Sequence, residues 1–341
     1  MTRRTASRRT AATLQDVADL IGMSKATVSR ALNGSPKVTE DTKERVRAAA
    51  EQVGYVMNPQ ARALALGRAE AIAIVFTEPL DEMFADPTYA MVVRGIHEGL
   101  AETTTAPFLL QAATSFEQAR ARRRLAQGNA DAVIALTPYI GQELLSSLEE
   151  AALPTVLCGQ PGARERTSAM AHVYADDVVG ARMAAHHLLS CGRRRIAVLS
   201  GPEDNPAAVD RVMGYREILD PVCPPVSVSY GAWDVVSGLE RMETLLQGDP
   251  HIDGVLAASD RIAAGALAAL QRHGRRLPED ISVIGFDDHR IATETTPTLT
   301  TVHQPLVEQG RQAATLALEM ADGTPARDIV LEMSLVRRES A

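Results

Sequence analysis

The run Lys25-Ala26-Thr27-Val28-Ser29-Arg30-Ala31-Leu32-Asn33 carries two kinds of chemistry at helical spacing. Val28, Ala31 and Leu32 fall on one side, and Ala26, Ser29, Arg30 and Asn33 on the other, with Lys25 beside them. The outward set offers cationic, hydroxyl and amide groups and no carboxylate. A planar guanidinium can grip two acceptors at once, so such a face suits an anionic polymer that presents acceptors in a fixed pattern. A second set lies far downstream: Arg211, Trp233, Ser259-Asp260, Asp287-Asp288 and Gln304, with Thr77 and Glu78 much earlier. A guanidinium and carboxylates can hydrogen-bond vicinal hydroxyls, and an indole face covers the apolar side of a sugar ring. Aromatic residues make up only 4% of the chain, so its single tryptophan carries weight in that set.

The first set needs a frame. Leu14, Val17, Ala18 and Ile21 form one helical stripe, with Thr13 placed as N-cap and Gly22 as the exit. The next helix is expected to start at Ser24, after a turn of about three residues. Two short helices joined this tightly form a helix-turn-helix, whose second helix fits the DNA major groove. A third stripe, Val46, Ala49, Ala50 and Val53, has Thr39 as its cap, Glu40 and Asp41 in the first turn, and Gly54 as its stop. On that frame Arg30 can pair with guanine O6 and N7, and Ala26 lets the helix approach a thymine methyl.

Charge supports a polyanion partner for this region alone. Residues 1–70 carry 12 basic against 7 acidic side chains, a surplus of +5, whereas the remaining 271 carry 23 against 36, or −13. Arg3, Arg4, Arg8 and Arg9 form a basic tail over residues 1–12 with no apolar stretch behind them, so a secretory signal is not expected and the chain is placed in the cytoplasm, away from membranes. The hydrophobic fraction of 45% and the absence of any long apolar run exclude global disorder and membrane helices. Cys158, Cys191 and Cys223 form no C-x-x-C pair and are expected as reduced structural thiols.

Enzymatic readings find little support. The chain contains no G-x-S-x-G, no G-x-x-x-x-G-K-[ST] and no H-E-x-x-H, and His97-Glu98 is followed by Ala101 where a zinc site needs histidine. No catalytic residue, metal or cofactor is expected. Asp287 and Asp288, being adjacent at a strand end, are expected to point apart. Two other classes remain as alternatives: a solute-binding protein, or an α/β sugar-metabolising enzyme with a helical cap.

Residues 58–67 read as a two-turn helix. Asn58 is a cap, Pro59 is preset for the first turn, and Gly67 suits the exit. A helix this short is unstable alone in water, where even ~12–15 residues are marginal. Beyond residue 70, apolar runs at 71–76, 132–136, 196–199, 254–257 and 281–285 alternate with amphipathic stretches such as Tyr89, Val92, Val93, Ile96 and Leu100. That alternation predicts parallel α/β sheets covered on both faces, and 271 residues suggest two lobes.

The ordered stretch Thr13-Leu14-Gln15-Asp16-Val17-Ala18, then Ser24 to Asn33, Val38-Thr39, Gly54-Tyr55, Asn58 and Ala61-Arg62-Ala63-Leu64 resembles the head of the lactose/galactose-repressor (LacI/GalR) family of bacterial transcription regulators. The resemblance implies a ligand-responsive homodimer that reads a pseudo-palindromic double-stranded DNA operator. It places Lys25, Ala26 and Arg30 at base-reading positions and Thr13, Ser24, Thr27, Ser29 and Asn33 at the phosphates. It makes 58–67 a hinge helix over the minor groove, with Asn58, Ala61 and Arg62 lining it and Leu64 as the wedge between base pairs. Met57 stands where many relatives have proline.

For residues 71–341 the resemblance implies an effector-binding and dimerisation domain with the two-lobed fold of periplasmic sugar-binding proteins. One lobe would take 71–172 and 303–326, the other 173–301 and 327–341, with crossings near His172, Thr301 and Arg327. Thr77, Glu78, Arg211, Trp233, Ser259, Asp260, Asp287 and Gln304 would line the cleft for a small-molecule effector of carbohydrate type. Ser259 and Gly159 replace an asparagine and an aspartate common in the family, which favours a ligand bulkier than a monosaccharide.

Overall fold

The computed structural model describes residues 12–56, 68–136, 142–160, 170–223 and 227–341. The basic tail up to residue 11 and the hinge segment, with Asn58, Ala61, Arg62 and Leu64, lie outside them. The chain divides into two units near Glu70.

In the N-terminal unit, α1 (Leu14–Ile21), α2 (Lys25–Leu32) and α3 (Glu40–Val53) close around Val17, Ala18, Val28, Ala31, Val46, Ala49 and Ala50. Thr13 and Asp16 cap α1 reciprocally: Asp16 N donates to Thr13 Oγ1 at 3.4 Å, and Thr13 N donates to Asp16 Oδ2 at 2.7 Å. Gly22 (φ +66°) and Gly54 (φ +71°) end α1 and α3 in the left-handed region, as their positions predict. Ser24 is a cap and not the first helical residue, since its Oγ accepts from Thr27 N at 3.1 Å. Thr39 stands at the cap position of α3 but spends its hydroxyl on Thr42 Oγ1, 2.9 Å away.

The C-terminal unit begins with β1 (Ala71–Phe76), whose unbroken apolar run is buried from its second residue on. Then follow α4 (Leu80–Ala85), α5 (Pro87–Leu100), β2 (Ala106–Gln111), α6 (Ser115–Ala126), β3 (Ala132–Ala135), α7 (Gln142–Glu150), β4 (Thr155–Cys158) and β5 (Met170–Ala175). Next come α8 (Asp177–Ser190), β6 (Ile196–Leu199), α9 (Pro206–Leu219), β7 (Ser227–Ser229), α10 (Val235–Gly248), β8 (Gly254–Ala257), α11 (Asp260–Arg272) and β9 (Ser282–Asp287). The chain ends through α12 (Ile291–Glu294), β10 (Thr300–His303), α13 (Leu306–Ala321), β11 (Ile329–Leu331) and β12 (Ser334–Val336).

Two sheets result, in the orders β11-β5-β4-β3-β1-β2 and β12-β10-β9-β8-β6-β7. Every pairing is parallel except that of β12 with β10. Strands such as β3, β6 and β8, buried along their whole length, explain why they read as continuous apolar runs. Doubly wound sheets place binding crevices at the carboxyl ends of their strands. No helix among the described residues is long and apolar enough to cross a membrane.

The lobe crossings fall later than the sequence suggested. His172 lies inside β5, which stays paired with β4 and β11 through Ala175, so the chain leaves the first sheet only after it. Thr301 lies inside β10 of the second sheet, and the return begins at Gln304. Arg327 precedes β11, which still belongs to the first sheet, and the last crossing comes at residues 332–333.

Candidate functional site

On α2, Lys25, Ala26 and Arg30 are exposed while Val28 and Ala31 are buried, so the two faces separate as their spacing predicts. Thr27, Ser29 and Asn33 are half-buried, and Thr13 and Ser24 are exposed at the starts of α1 and α2. Ser24 Oγ and Thr27 Oγ1 share a hydrogen bond of 2.8 Å, and Asn33 Nδ2 donates to Ser29 Oγ at 3.4 Å. Asn33 Oδ1 is buried with no hydrogen-bond partner among the described residues. Arg30 Nε rests on the Ala26 carbonyl at 3.1 Å, an exposed bond that a stronger acceptor can displace.

The second cluster lies at the carboxyl ends of the second sheet. Arg211, in the second turn of α9, is buried. Its Nε donates to Asp177 Oδ1 at 2.7 Å, and its Nη1 donates to Asp287 Oδ1 at 3.1 Å and to the Ala258 carbonyl. Gln304 Nε2 donates to the same Asp287 oxygen at 2.7 Å. The guanidinium carbon lies 3.8 Å from the Phe286 ring centroid and 5.7 Å from that of Trp233. Asp287 (φ +102°) and Asp288 (φ +59°) both occupy a region costly for side-chain-bearing residues, a strain that clusters at functional sites. The bend turns Asp287 toward Arg211 and sends Asp288 away, to Arg338 Nη2 (2.6 Å) and His303 Nδ1 (3.0 Å). The two carboxylates therefore do point apart.

Buried carboxyls outnumber the one buried guanidinium in this cluster. Burial pushes the carboxyls of Asp177 and Asp287 above the ordinary range, with Arg211 pulling back. Asp260 is pushed well up, by burial first and then by the charge of Asp287. Burial works against the Arg211 cation, but Asp177 and then Asp287 outweigh it and raise its pKa. One guanidinium thus faces more than one carboxyl, and the cluster is poor in positive charge.

The predicted residues divide into three groups. Arg211, Asp287 and Gln304 are bonded together, with Trp233 over them. Ser259 and Asp260 are held by the fold itself: Ser259 Oγ caps α11, accepting from Ile262 N at 3.2 Å. Asp260 accepts from Thr301 Oγ1 (2.5 Å) and His289 N (2.7 Å), tying the start of α11 to β9 and β10. Thr77 and Glu78 follow β1 on the first sheet, where burial raises the Glu78 carboxyl and the Tyr89 hydroxyl holds it back. Burial, then Glu78, drives the Tyr89 phenol upward as well.

Two comparisons address the chain in parts. Residues 13–58 match the model described as bacterial regulatory proteins, lacI family, and residues 185–341 match a periplasmic binding protein-like domain. Over 339 residues the chain is 38% identical to the HTH-type transcriptional regulator CelR of Thermobifida fusca, covering 98% of this chain and 99% of CelR.

The chain belongs to the LacI family of bacterial regulators. It is 33% identical to the HTH-type transcriptional regulator GalR of Escherichia coli (strain K12), covering 96% of this chain and 95% of GalR. A solved CelR–cellobiose complex shares 36% identity and superposes with a TM-score of 0.74, covering 97% of this chain and all of that one. The protein is a DNA-binding transcription regulator under small-molecule control, and its relatives are regulators rather than enzymes.

In this LacI-family regulator, sequence reasoning missed several groups at the cleft. Asp177 is the second anchor of Arg211. From the first lobe, Asp86 caps α5 and pairs with Arg261 Nη1 of the second lobe at 3.5 Å. Thr88 Oγ1 lies 3.3 Å from His289 Nε2 across the same gap. The Asp86-Pro87 pair was a legible helix start, but nothing local pointed to its partners.

Proposed function

We propose that this regulator is a cytoplasmic homodimeric repressor whose effector is a neutral carbohydrate, with cellobiose the first candidate. The observation that carries this reading is the Arg211 cluster beneath Trp233, rich in carboxyls and short of cations. Hydroxyls donate to carboxyl oxygens and accept from the guanidinium, so a polyol fits, whereas a sugar phosphate would meet several buried carboxyls and a single buried guanidinium. The indole supplies an apolar face for a pyranose ring. Gly159 carries no side chain and has open space about it, which supports room for a second sugar ring. The CelR–cellobiose complex supports the choice of probe.

Lys25, Ala26 and Arg30 read bases, and Thr13, Ser24, Thr27, Ser29 and Asn33 hold phosphates, while Asn58, Ala61, Arg62 and Leu64 form the minor-groove hinge. Thr77, Glu78, Arg211, Trp233, Asp287 and Gln304 contact effector, with Ser259 and Asp260 shaping the floor. A ligand with unequal affinity for open and closed lobes shifts the balance between them and so changes the grip on the operator. The Asp86–Arg261 and Thr88–His289 contacts are the polar seam on which closure acts.

A thermal-shift screen of the intact protein tests the effector class. Cellobiose is expected to raise the melting temperature in a concentration-dependent way, and glucose 6-phosphate and nucleosides are expected to leave it unchanged. A shift produced only by phosphorylated sugars or nucleosides would overturn the neutral-sugar reading.

A further inference from the structure

We propose that Arg241 and Gly201 are positioning residues of the effector cleft, together setting Trp233 as its aromatic wall. The inference rests on the carbohydrate reading above, and it adds residues that no motif singled out.

Trp233 sits on the loop between β7 and α10, a segment with no helix or sheet ladder to hold it. Arg241, two turns into α10, supplies the missing restraint. Its Nη1 donates to the carbonyls of Ser200 (2.6 Å) and Ser229 (2.7 Å), and its Nη2 donates to that of Ala232 at 3.2 Å. One guanidinium therefore joins the ends of neighbouring strands β6 and β7 to the backbone just before the indole. Its Nε is anchored in turn on Ser237 O at 3.0 Å, back on its own helix. Only a planar fork with several donors reaches these carbonyls together, which a lysine ammonium cannot do.

Gly201 makes the floor. It is buried just past β6, and the indole lies directly on its backbone. A Cβ there would fall 2.1 Å from Cζ2, 2.3 Å from Cε2 and 2.4 Å from Cη2 of Trp233, so any side chain must displace the ring. Gly231 N donates to Gly201 O at 3.3 Å, closing the loop onto the same point. The Arg211 guanidinium carbon lies 5.7 Å from the ring centroid. The ring thus rests on a backbone floor at Gly201 and against the apolar core of the second sheet. Stacking on a sugar requires such fixed placement, because a mobile ring must lose rotamer freedom on binding.

The chain's one tryptophan is this residue, so its emission reports the wall directly. The test uses full-length protein with Arg241→Met, Arg241→Lys and Gly201→Ala, each checked for folding by circular dichroism. Acrylamide quenching and emission are measured without sugar, and cellobiose affinity is then measured by calorimetry. All three variants are expected to show red-shifted, more quenchable emission. Their cellobiose affinity should fall by about tenfold, equivalent to about 1.4 kcal/mol, with operator binding in the absence of sugar unchanged. Folded variants with unaltered emission and quenching, or with altered emission and unaltered cellobiose affinity, would overturn the proposal. If the unsubstituted protein binds no cellobiose, the effector reading falls instead, and the quenching arm alone decides whether Arg241 and Gly201 place the indole.

Discussion

Arg211→Ala is expected to abolish the response to effector while leaving the operator-binding head intact. The guanidinium orients Asp177 and Asp287 at once and supports the Trp233 ring, so its loss disorganises the cleft on three sides. Sugar affinity should fall by about 100-fold, the equivalent of two charge-assisted hydrogen bonds of about 1.5 kcal/mol each from the guanidinium to sugar hydroxyls. Stability falls as well. Removing one partner of a buried ion pair typically costs about 3–5 kcal/mol, because the remaining charge is left without compensation.

That penalty depends on pH in a definite sense. Both carboxyls already have folded-state pKa values raised by burial, and without Arg211 they rise further. A carboxyl with a raised folded pKa binds more protons folded than unfolded, so stability is lost as pH climbs from the unfolded value toward the folded one. The variant should therefore lie nearest the parent protein near pH 4 and fall furthest behind at neutral pH. Urea unfolding at both pH values checks this, and a deficit that shrinks toward neutrality would contradict the ion-pair account.

Arg30→Ala should produce the largest effect on DNA. A bidentate arginine–guanine contact is worth about 1–3 kcal/mol, so each head should lose roughly 5- to 150-fold in specific affinity. Its signature is loss of preference at one base pair per half-site. Ser29→Ala, at a phosphate position, should instead weaken all sequences alike. Binding-site selection with randomised operators distinguishes the two. An Arg30 variant with the full parental base preference would remove Arg30 from the readout.

Much of the head was legible because its signals are local. The Thr13 cap, Gly22, Gly54 and the Val28/Ala31 stripe all act within four residues of one another or of a helix end. In the candidate cleft, strand ends singled out Trp233, Asp287 and Gln304, and the family resemblance singled out Arg211, which the structure bonds to Asp287. Ser259 spends its hydroxyl on α11, because a serine before a helix serves its own N-terminus as readily as a ligand. Asp177, Asp86 and His289 stayed hidden because their partners are far away in the chain: Arg211 is 34 positions from Asp177, and Thr88 is 201 from His289. The lobe crossings slipped for a related reason. β11 has only three residues, and its pairing with β5 joins residues more than 150 positions apart, which no local pattern reveals.

The central claim is that sugar and operator are coupled through one molecule, and coupling of two equilibria must be reciprocal. Operator affinity is measured with and without saturating cellobiose, and cellobiose affinity with and without saturating operator duplex, in one buffer at fixed salt. Both ratios are expected to differ from one and to equal each other. Sugar binding that leaves operator affinity unchanged would contradict the account.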